Sequence, residues 1–414
     1  MRVERIISRG FWLLPIAALF VVSADVDKSG DSIPLEPVAG YWTRPIPAQG
    51  SPPASFSPVE ASLKPADCGS CHAHQFADWK TALHAAAMSP GVAGQLEDMW
   101  QNDPASAASC LSCHAPLTEQ APVLASTDAA GKSSTTKNPA FQPDLSAQGI
   151  VCAACHVRQY QHFGPPPVVP AAPPPAGPLP HGGFTPSDFF LSPDFCAPCH
   201  QHPMDTAVNG KPIENTLTEW QRSPYPRAGQ TCQTCHMPDR RHLWRGIHDP
   251  DMVKQAITVG FNASAGGASK RRIVGSLKIT NTGAGHDFPT YVTPAVFVRI
   301  YQVDAAGNPI LGTLKLGTIQ RQVVLTATET REISDTRVPP GKSFTLAYSK
   351  SVAKGAVAVV GEIEVSPDHY YIDLYESLLS DPGTSPKARQ QIEQAHDRAV
   401  NSPFIAFRQS LPLR

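Results

Sequence analysis

The chain has 414 residues, of which 41% are hydrophobic and 17% are charged; this length allows a sizeable core and favours two domains over one. Its formal net charge is −1, so charge gives no basis for binding nucleic acid or an anionic membrane surface. We therefore expect no nucleic-acid partner.

The first 24 residues have the three parts of a secretory signal peptide. Three arginines lie within the first nine residues, an apolar run spans 11–22, and Val22-Ser23-Ala24 forms a cleavage site. The run is shorter than the roughly 20 residues that cross a bilayer, and an uncleaved membrane anchor is the alternative. We expect residues 1–24 to direct export to the periplasm, the cell surface or the extracellular space, with no stable transmembrane segment after cleavage.

Residues 25–66 are rich in Pro, Ser and Ala and show little hydrophobic periodicity. This composition predicts a Pro-rich extended arm and argues against a helix or a strand. The arm either lies on the following domain or acts as a flexible tether, and the sequence leaves both arrangements open.

All ten cysteines belong to five copies of a Cys-x-x-Cys-His motif, which we number 1 to 5 in chain order. Two thiols at this spacing can add to the two vinyl groups of one haem, and the adjacent His can bind its iron. The motifs therefore predict five haem c groups. The covalent attachment residues are Cys68, Cys71, Cys110, Cys113, Cys152, Cys155, Cys196, Cys199, Cys232 and Cys235. The proximal iron ligands are His72, His114, His156, His200 and His236.

Two other interpretations of the cysteines explain less of the pattern. A disulfide framework suits an exported protein, but it does not explain why a His follows every second Cys. Structural zinc needs four ligands at each site and gives no reason for that His either.

The motifs define a pentahaem domain over residues 67–254. So short a stretch of polypeptide cannot bury five porphyrins separately, and we expect the haems to pack against one another within short helices and long loops. Residues 164–183 are Pro-rich and predict a polyproline-like surface loop between motifs 3 and 4. A binding strip for a partner is the alternative interpretation of this loop.

The pattern changes at about residue 255 to short β-branched runs separated by turn signals. Runs of this length and spacing predict an immunoglobulin-like or related β-sandwich over residues 255–366. Two helices are predicted in the C-terminal helical segment, 367–414, at 368–379 and 386–399. These helices could pack against the haem domain. The predicted strands are 273–280, 295–303, 321–326, 343–349 and 356–365.

With the motifs placed, the chain resembles the cytochrome c554-like superfamily of multihaem cytochromes, including members that carry a C-terminal β-sandwich. The matching stretches are Cys68-Gly-Ser-Cys71-His72, Gly149-Ile-Val-Cys152-Ala-Ala-Cys155-His156-Val-Arg158, Phe195-Cys196-Ala-Pro-Cys199-His200-Gln201, Cys232-Gln-Thr-Cys235-His236-Met237-Pro238 and Asn281-Thr-Gly-Ala-Gly-His286-Asp-Phe-Pro289-Thr290. The resemblance implies an α + β chain in which a helix-and-loop haem domain precedes the sandwich.

The resemblance also bears on the distal ligands. A Trp-x-x-Ser-x-His pattern of the family corresponds here to Trp79-Lys-Thr-Ala-Leu-His84, which supports His84 as a distal ligand. A second copy, Trp220-Gln-Arg-Ser223-Pro-Tyr225, has Tyr225 where the family has its His.

Ten histidines lie outside the motifs, enough to fill the sixth position of every iron. A haem used only for electron transfer usually has both axial positions filled, whereas an open position invites a small molecule. A surface or hydrogen-bonding role is the alternative for each of them. Our distal candidates, each in or beside a motif-rich segment, are His84, His181, His242, His248 and His286.

The sequence therefore favours an exported electron carrier in which the haems form a wire between a redox donor protein and an acceptor. One alternative is a multihaem oxidoreductase that acts on a small nitrogen or sulfur compound at an open-coordination haem. A second alternative is a subunit of an extracellular cytochrome filament, which would require self-assembly. No catalytic residue is assigned, and an electron carrier is expected in preference to an enzyme.

Overall fold

The computed structural model describes residues 40–128, 133–168, 177–266, 271–325 and 329–413. The signal peptide predicted over 1–24 and part of the Pro-rich loop, 169–176, lie outside the described residues. Helices and strands are mixed, as the sequence predicts, with short helices around the motifs and longer strands after residue 256.

The motif-bearing half is built from short helices joined by loops. Many of them begin with proline at the first helical position, where the missing N–H removes no helical hydrogen bond. The helices are α1 (Pro65–Gly69), α2 (Ala73–Trp79), α3 (Pro90–Asn102), α4 (Pro104–His114), α5 (Pro143–Ser146), α6 (Cys152–His156), α7 (Ala197–His200), α8 (Thr216–Gln221), α9 (Cys232–His236) and α10 (Pro250–Ala256).

Short strands also occur in this half. A hairpin of β1 (Val123–Thr127) and β2 (Ser133–Lys137) follows α4. A small three-stranded sheet contains β3 (Val157–Arg158), β4 (Gln161–Gly164) and β5 (Thr185–Pro186). These strands are too short to build a core of their own, and they fix the loops between the motifs.

The second half contains longer strands. Their residues alternate between buried and exposed positions, as in β7, where Ile273, Leu277 and Ile279 are fully buried. The strands are β6 (Ile257–Gly266), β7 (Arg272–Asn281), β8 (Ala295–Val303), β9 (Lys315–Ile319), β10 (Arg321–Leu325), β11 (Thr330–Asp335), β12 (Ser343–Ser351), β13 (Ala358–Ser366) and β14 (Phe404–Pro412).

Two antiparallel sheets pack face to face in this half. One has the strand order β12-β7-β6 and the other β14-β13-β8-β9, while β10 and β11 form a separate hairpin. Buried side chains from both sheets share one core, which includes Leu277 of β7, Val298 of β8 and Ile363 of β13. An immunoglobulin-like connectivity for these sheets stays a prediction.

The C-terminal segment begins with two helices, α11 (His369–Ser380) and α12 (Pro386–Val400), close to the predicted bounds. Helix α12 packs against α3 of the motif-bearing half, where Gly94 allows a close approach to Ile392. The chain then returns to the second half, because β14 pairs with β13 along its length. Four strands of the second half, β6, β9, β11 and β14, were not predicted from the sequence.

The described part of the Pro-rich arm, 40–66, lies on the motif-bearing half. Ile46 is fully buried and its N–H donates to the Pro116 carbonyl over 2.8 Å. Tyr41 packs edge-on against Phe163 and Phe189. Of the two arrangements that the composition left open, these residues adopt the packed one.

Within the described ranges, the structure has no helix that is both long enough and apolar enough to cross a membrane.

We predict that Ile363→Ala lowers the free energy of unfolding by about 2–5 kcal/mol, because it leaves a cavity between the two sheets. Ile363 is fully buried, and denaturant unfolding followed by circular dichroism measures the effect. Ile333→Ala is the matched control: Ile333 is 47% exposed, so the change should stay within about 0.5 kcal/mol. Equal effects of the two substitutions would contradict the shared core.

Candidate functional site

Each motif is placed on a helical turn that brings its three residues to one side. Helices α4, α6, α7 and α9 all end at the motif histidine. In motif 1 the same turn is closed by a hydrogen bond from the His72 N–H to the Cys68 carbonyl, 2.8 Å. Residues three and four apart on a helix share a face, so every motif presents two thiols and an imidazole together.

Four motif histidines face a second imidazole at nearly the same distance. The ring centroids are 6.1–6.4 Å apart in each case, and three of the four partners lie more than 80 residues away in sequence. The pairs are His72–His181, His84–His200, His156–His242 and His236–His286.

This separation suits a metal ion held between two rings. A metal–imidazole bond is about 2 Å long, so two rings bound on opposite sides of one ion have centroids about 6 Å apart. By contrast, His162 and His181 stack in direct contact at 4.1 Å. The four pairs therefore fit an iron with two axial imidazoles and do not fit simple ring stacking.

Hydrogen bonds leave the second nitrogen of these rings available. The Nδ1–H of His156 donates to the Phe163 carbonyl over 2.7 Å, and that of His236 donates to the Arg245 carbonyl over 2.6 Å. Such bonds fix the tautomer and direct Nε2 towards a metal. Burial is the main cause that lowers the pKa of His156 to about 4, which keeps the ring neutral, as ligation requires.

Backbone carbonyls hold Nδ1 of three of the facing histidines in the same way, namely His181, His242 and His286. His181 lies in the Pro-rich loop with φ = 43°, a left-handed conformation that non-glycine residues rarely adopt. Its N–H donates to Glu60 of the arm over 2.7 Å, and its Nδ1–H donates to the Gly183 carbonyl over 2.8 Å. The hydrogen bond from His181, followed by those from Ser57, lowers the pKa of Glu60 to about 2.

His114 of motif 2 differs from the other motif histidines. Its Nδ1–H donates to the Ala87 carbonyl over 2.8 Å, so Nε2 is available in the usual way. In the described part of the chain, which includes every histidine, no second imidazole faces His114 in the way seen at the other four motifs.

His248 is the one distal candidate that does not face a motif histidine. Its Nε2–H donates to the Asp368 carboxylate over 3.0 Å, just before α11 begins. The nitrogen that a ligand would need is therefore engaged in a hydrogen bond. This contact joins the loop before α10 to the C-terminal helices.

Thiols of different motifs lie close enough, in three pairs, for one to shift the pKa of the other. The contacts join Cys68 to Cys152, Cys113 to Cys199, and Cys196 to Cys232. Motif 1 is therefore beside motif 3, and motif 4 is beside both motif 2 and motif 5. Cys232 and burial raise the pKa of Cys196 most, and Cys155 of motif 3 adds to the shift, which places motif 3 near motif 4 as well.

Known proteins share both the first motifs and the fold. The family model described as "Cytochrome c554 and c-prime" matches residues 67–137, which hold motifs 1 and 2. A penta-heme cytochrome c552 from Thermochromatium tepidum has a similar structure, with a TM-score of 0.59 and 20% sequence identity; the match covers 86% of this chain and all of the other. No curated protein sequence matches the chain significantly.

Together with the five motifs, these findings identify a multihaem c-type cytochrome whose residues 67–137 match the cytochrome c554 family. The cytochrome binds haem c, and its donor set fits that cofactor. All ten cysteines are free of disulfides, so each motif can supply two thiols, and an imidazole stands beside each pair. The bound haem supplies the one-electron chemistry of its iron; the protein positions and tunes it.

A buried ionic network holds the loop that carries His286. Asn281 donates from Nδ2 to the carbonyls of His286 and Val338, over 2.8 and 2.9 Å. The carboxylate of Glu219 accepts from the Asp287 N–H over 3.1 Å and pairs with Arg337 at 2.8 Å. Burial, followed by the charge of Glu219, raises the pKa of Asp287 to about 6.

No sequence pattern indicated this network or several other contacts of the motifs. The hydroxyl of Tyr41, in the arm, donates to the Cys155 carbonyl over 2.6 Å. The guanidinium of Arg158 lies 4.0 Å from the centroid of the Tyr41 ring. Glu214 contacts His200. None of these residues belongs to a motif, and their partners are distant in the sequence or in another element.

We predict that Arg337→Met lowers the free energy of unfolding by about 3–5 kcal/mol, because Glu219 would remain as a buried carboxylate without its main counter-charge. The side chains of Arg337 and Glu219 are 1% and 6% exposed. Denaturant unfolding of the purified cytochrome measures the loss.

The matched control is Arg331→Met, which removes the cation of the Arg331–Glu329 ion pair. Because Arg331 is 56% exposed, this substitution should cost about 0–1 kcal/mol. A loss at Arg337 no larger than the loss at Arg331 would show that the network does not hold the two halves together.

Proposed function

We propose that this cytochrome is an exported electron carrier with five haem c groups, one on each motif. The observation that carries the proposal is the set of four imidazole pairs at 6.1–6.4 Å. In this proposal each pair provides both axial ligands of one iron. Such an iron exchanges electrons without a free position for a substrate.

The proposed ligand sets join one motif histidine to one distal histidine. Motif 1 uses His72 with His181, motif 3 uses His156 with His242, and motif 5 uses His236 with His286. Motif 4 uses His200 with His84, the residue that the Trp79 pattern indicated. His248 has no place in these sets, because its Nε2 is bonded to Asp368.

The contacts between motifs support a branched order of electron transfer. Motif 3 lies between motifs 1 and 4, and motif 4 also adjoins motifs 2 and 5. Cysteines of motifs 1, 2 and 5, namely Cys71, Cys110 and Cys235, are exposed. We infer that redox donor and acceptor proteins dock near these three motifs and that motifs 3 and 4 connect them.

The remaining elements fit an exported carrier. The signal peptide predicted over 1–24 would deliver the chain to the compartment in which haem c is attached. The two packed sheets, which we propose form an immunoglobulin-like sandwich, support the loop that supplies His286. In this proposal the sandwich is a structural module, and the haem domain transfers the electrons.

We expect His242→Ala to convert one low-spin haem of five to high spin, because it removes the ring facing His156. His248→Ala is the matched control and should leave all haems as they are. Intact mass gives the haem count, and electron paramagnetic resonance gives the spin state. A mass showing fewer than five haems, or equal spectra for the two variants, would refute the assignment.

A second function, oxidoreduction of a small nitrogen or sulfur compound, is favoured by one specific observation. The described residues provide no second imidazole opposite His114, while Nδ1 of that ring is already bonded to Ala87. Motif 2 therefore has the coordination that an open haem requires. Burial, followed by Tyr371 and Glu214, raises the pKa of Tyr291 well above its ordinary value, and Cys113 contributes, so aromatic hydroxyls lie near this motif.

We predict that the reduced wild-type cytochrome binds carbon monoxide at one haem of five. The physical reason is that no second imidazole faces His114 among the described residues. At the other motifs a distal imidazole would occupy the sixth coordination position of the iron. Optical titration counts the sites, and His242→Ala is the control that should show two. Turnover of hydroxylamine or nitrite would then support the oxidoreductase function. If the wild type binds no carbon monoxide, the oxidoreductase function is refuted and the electron-carrier function stands alone.

A further inference from the structure

His200 of motif 4 has a hydrogen-bond partner unlike those of the other motif histidines. Its Nδ1 lies 3.3 Å from Oε1 of Glu214, a carboxylate. The Nδ1–H groups of His114, His156 and His236 donate to backbone carbonyls instead. A negative charge therefore lies behind one imidazole, while neutral groups lie behind the other three.

We propose that Glu214 is a positioning residue that lowers the reduction potential of the haem on motif 4 relative to a neutral partner. This inference rests on the proposed function, in which His200 is an axial ligand. A carboxylate that accepts the Nδ1–H bond draws the proton away from the ring. The ring then donates more charge to the iron, which stabilises the oxidised state over the reduced state.

The surroundings preserve the charge of Glu214. Its side chain is 14% exposed, so solvent screens it weakly. The Thr216 hydroxyl donates to the same Oε1 over 3.1 Å. This second donor shares the charge of the carboxylate with His200.

Backbone contacts hold the Glu214 carboxylate beside Nδ1 of His200. Gln201 and Asn215 form an antiparallel bridge, reinforced by a hydrogen bond from Gln201 Nε2 to Asn215 Oδ1 of 3.0 Å. The His202 N–H donates to the Glu214 carbonyl over 2.8 Å. Because the residues on both sides of the contact are tied together, the carboxylate and His200 keep their relative position.

Motif 4 occupies the position where a change of potential matters most. Its thiols meet those of motif 2 and motif 5, and Cys155 of motif 3 is near. A lower potential at motif 4 would make this haem a less favourable place for an electron to rest. Electrons would then settle on the outer motifs, where partner proteins dock.

Glu214→Gln tests the inference, since it keeps the shape and an acceptor oxygen but removes the charge. Spectroelectrochemical titration of the five-haem protein should show one midpoint potential moved upward and four unchanged. Glu376→Gln is the matched control: Glu376 lies 3.5 Å from His396, a histidine outside every ligand pair, so no potential should move. If no potential rises in Glu214→Gln, the inference is wrong.

Thr216→Val gives a second test of opposite sign. It removes the competing donor, so the carboxylate should act more strongly on His200 and the same potential should move downward. An unchanged or raised potential would overturn the inference even if Glu214→Gln failed to fold. A wild type with fewer than five haems, or without low-spin signals, would instead refute the proposed function. Failure of the inference can therefore be distinguished from failure of the proposed function.

Discussion

Four pairs of imidazoles, with ring centroids 6.1–6.4 Å apart, determine how the segments of this chain come together. Each pair joins distant segments of the chain: His72 reaches the Pro-rich loop, and His236 reaches the sheet-bearing half. A bond from both rings to one iron would act as a cross-link that closes a long loop, which restricts the unfolded chain most. The small apolar clusters of the motif-bearing half therefore need to contribute less to the stability of the fold than an ordinary core does.

The second half provides what the first half lacks, a large and continuous apolar core. Its two sheets give a rigid support from which the loop bearing His286 projects towards His236. Asn281 and the Glu219–Arg337 pair fix that loop on both sides. Helices α11 and α12 add a second link, because α12 packs against α3, the helix before motif 2. The packing of α12 on α3 and the Glu219–Arg337 ion pair thus keep the motifs in fixed positions relative to the second half.

The five motifs are chemically equal in sequence but unequal in the fold. Among the described residues no imidazole faces the ring of motif 2, and a carboxylate lies behind the ring of motif 4. The first difference concerns which molecules can reach an iron, and the second concerns how strongly an iron holds its electron. Both depend on residues outside the motif itself, and this is how one repeated attachment sequence can give sites with different properties.

The class of cofactor could be predicted from the sequence alone, because thiol spacing and the adjacent His are local features. The sequence also predicted β7, β8, β10, β12, β13 and the two C-terminal helices, whose apolar periodicity is strong. It did not predict the short strands β9 and β11, nor β6, which is rich in Gly, Ala and Ser, nor β14, which forms an edge by pairing with β13. Which histidines face one another depends on the fold: His84, His181, His242 and His286 face a motif histidine, whereas His248 contacts Asp368. Counting histidines shows the supply of ligands, but the distance between two rings depends on how the whole chain folds.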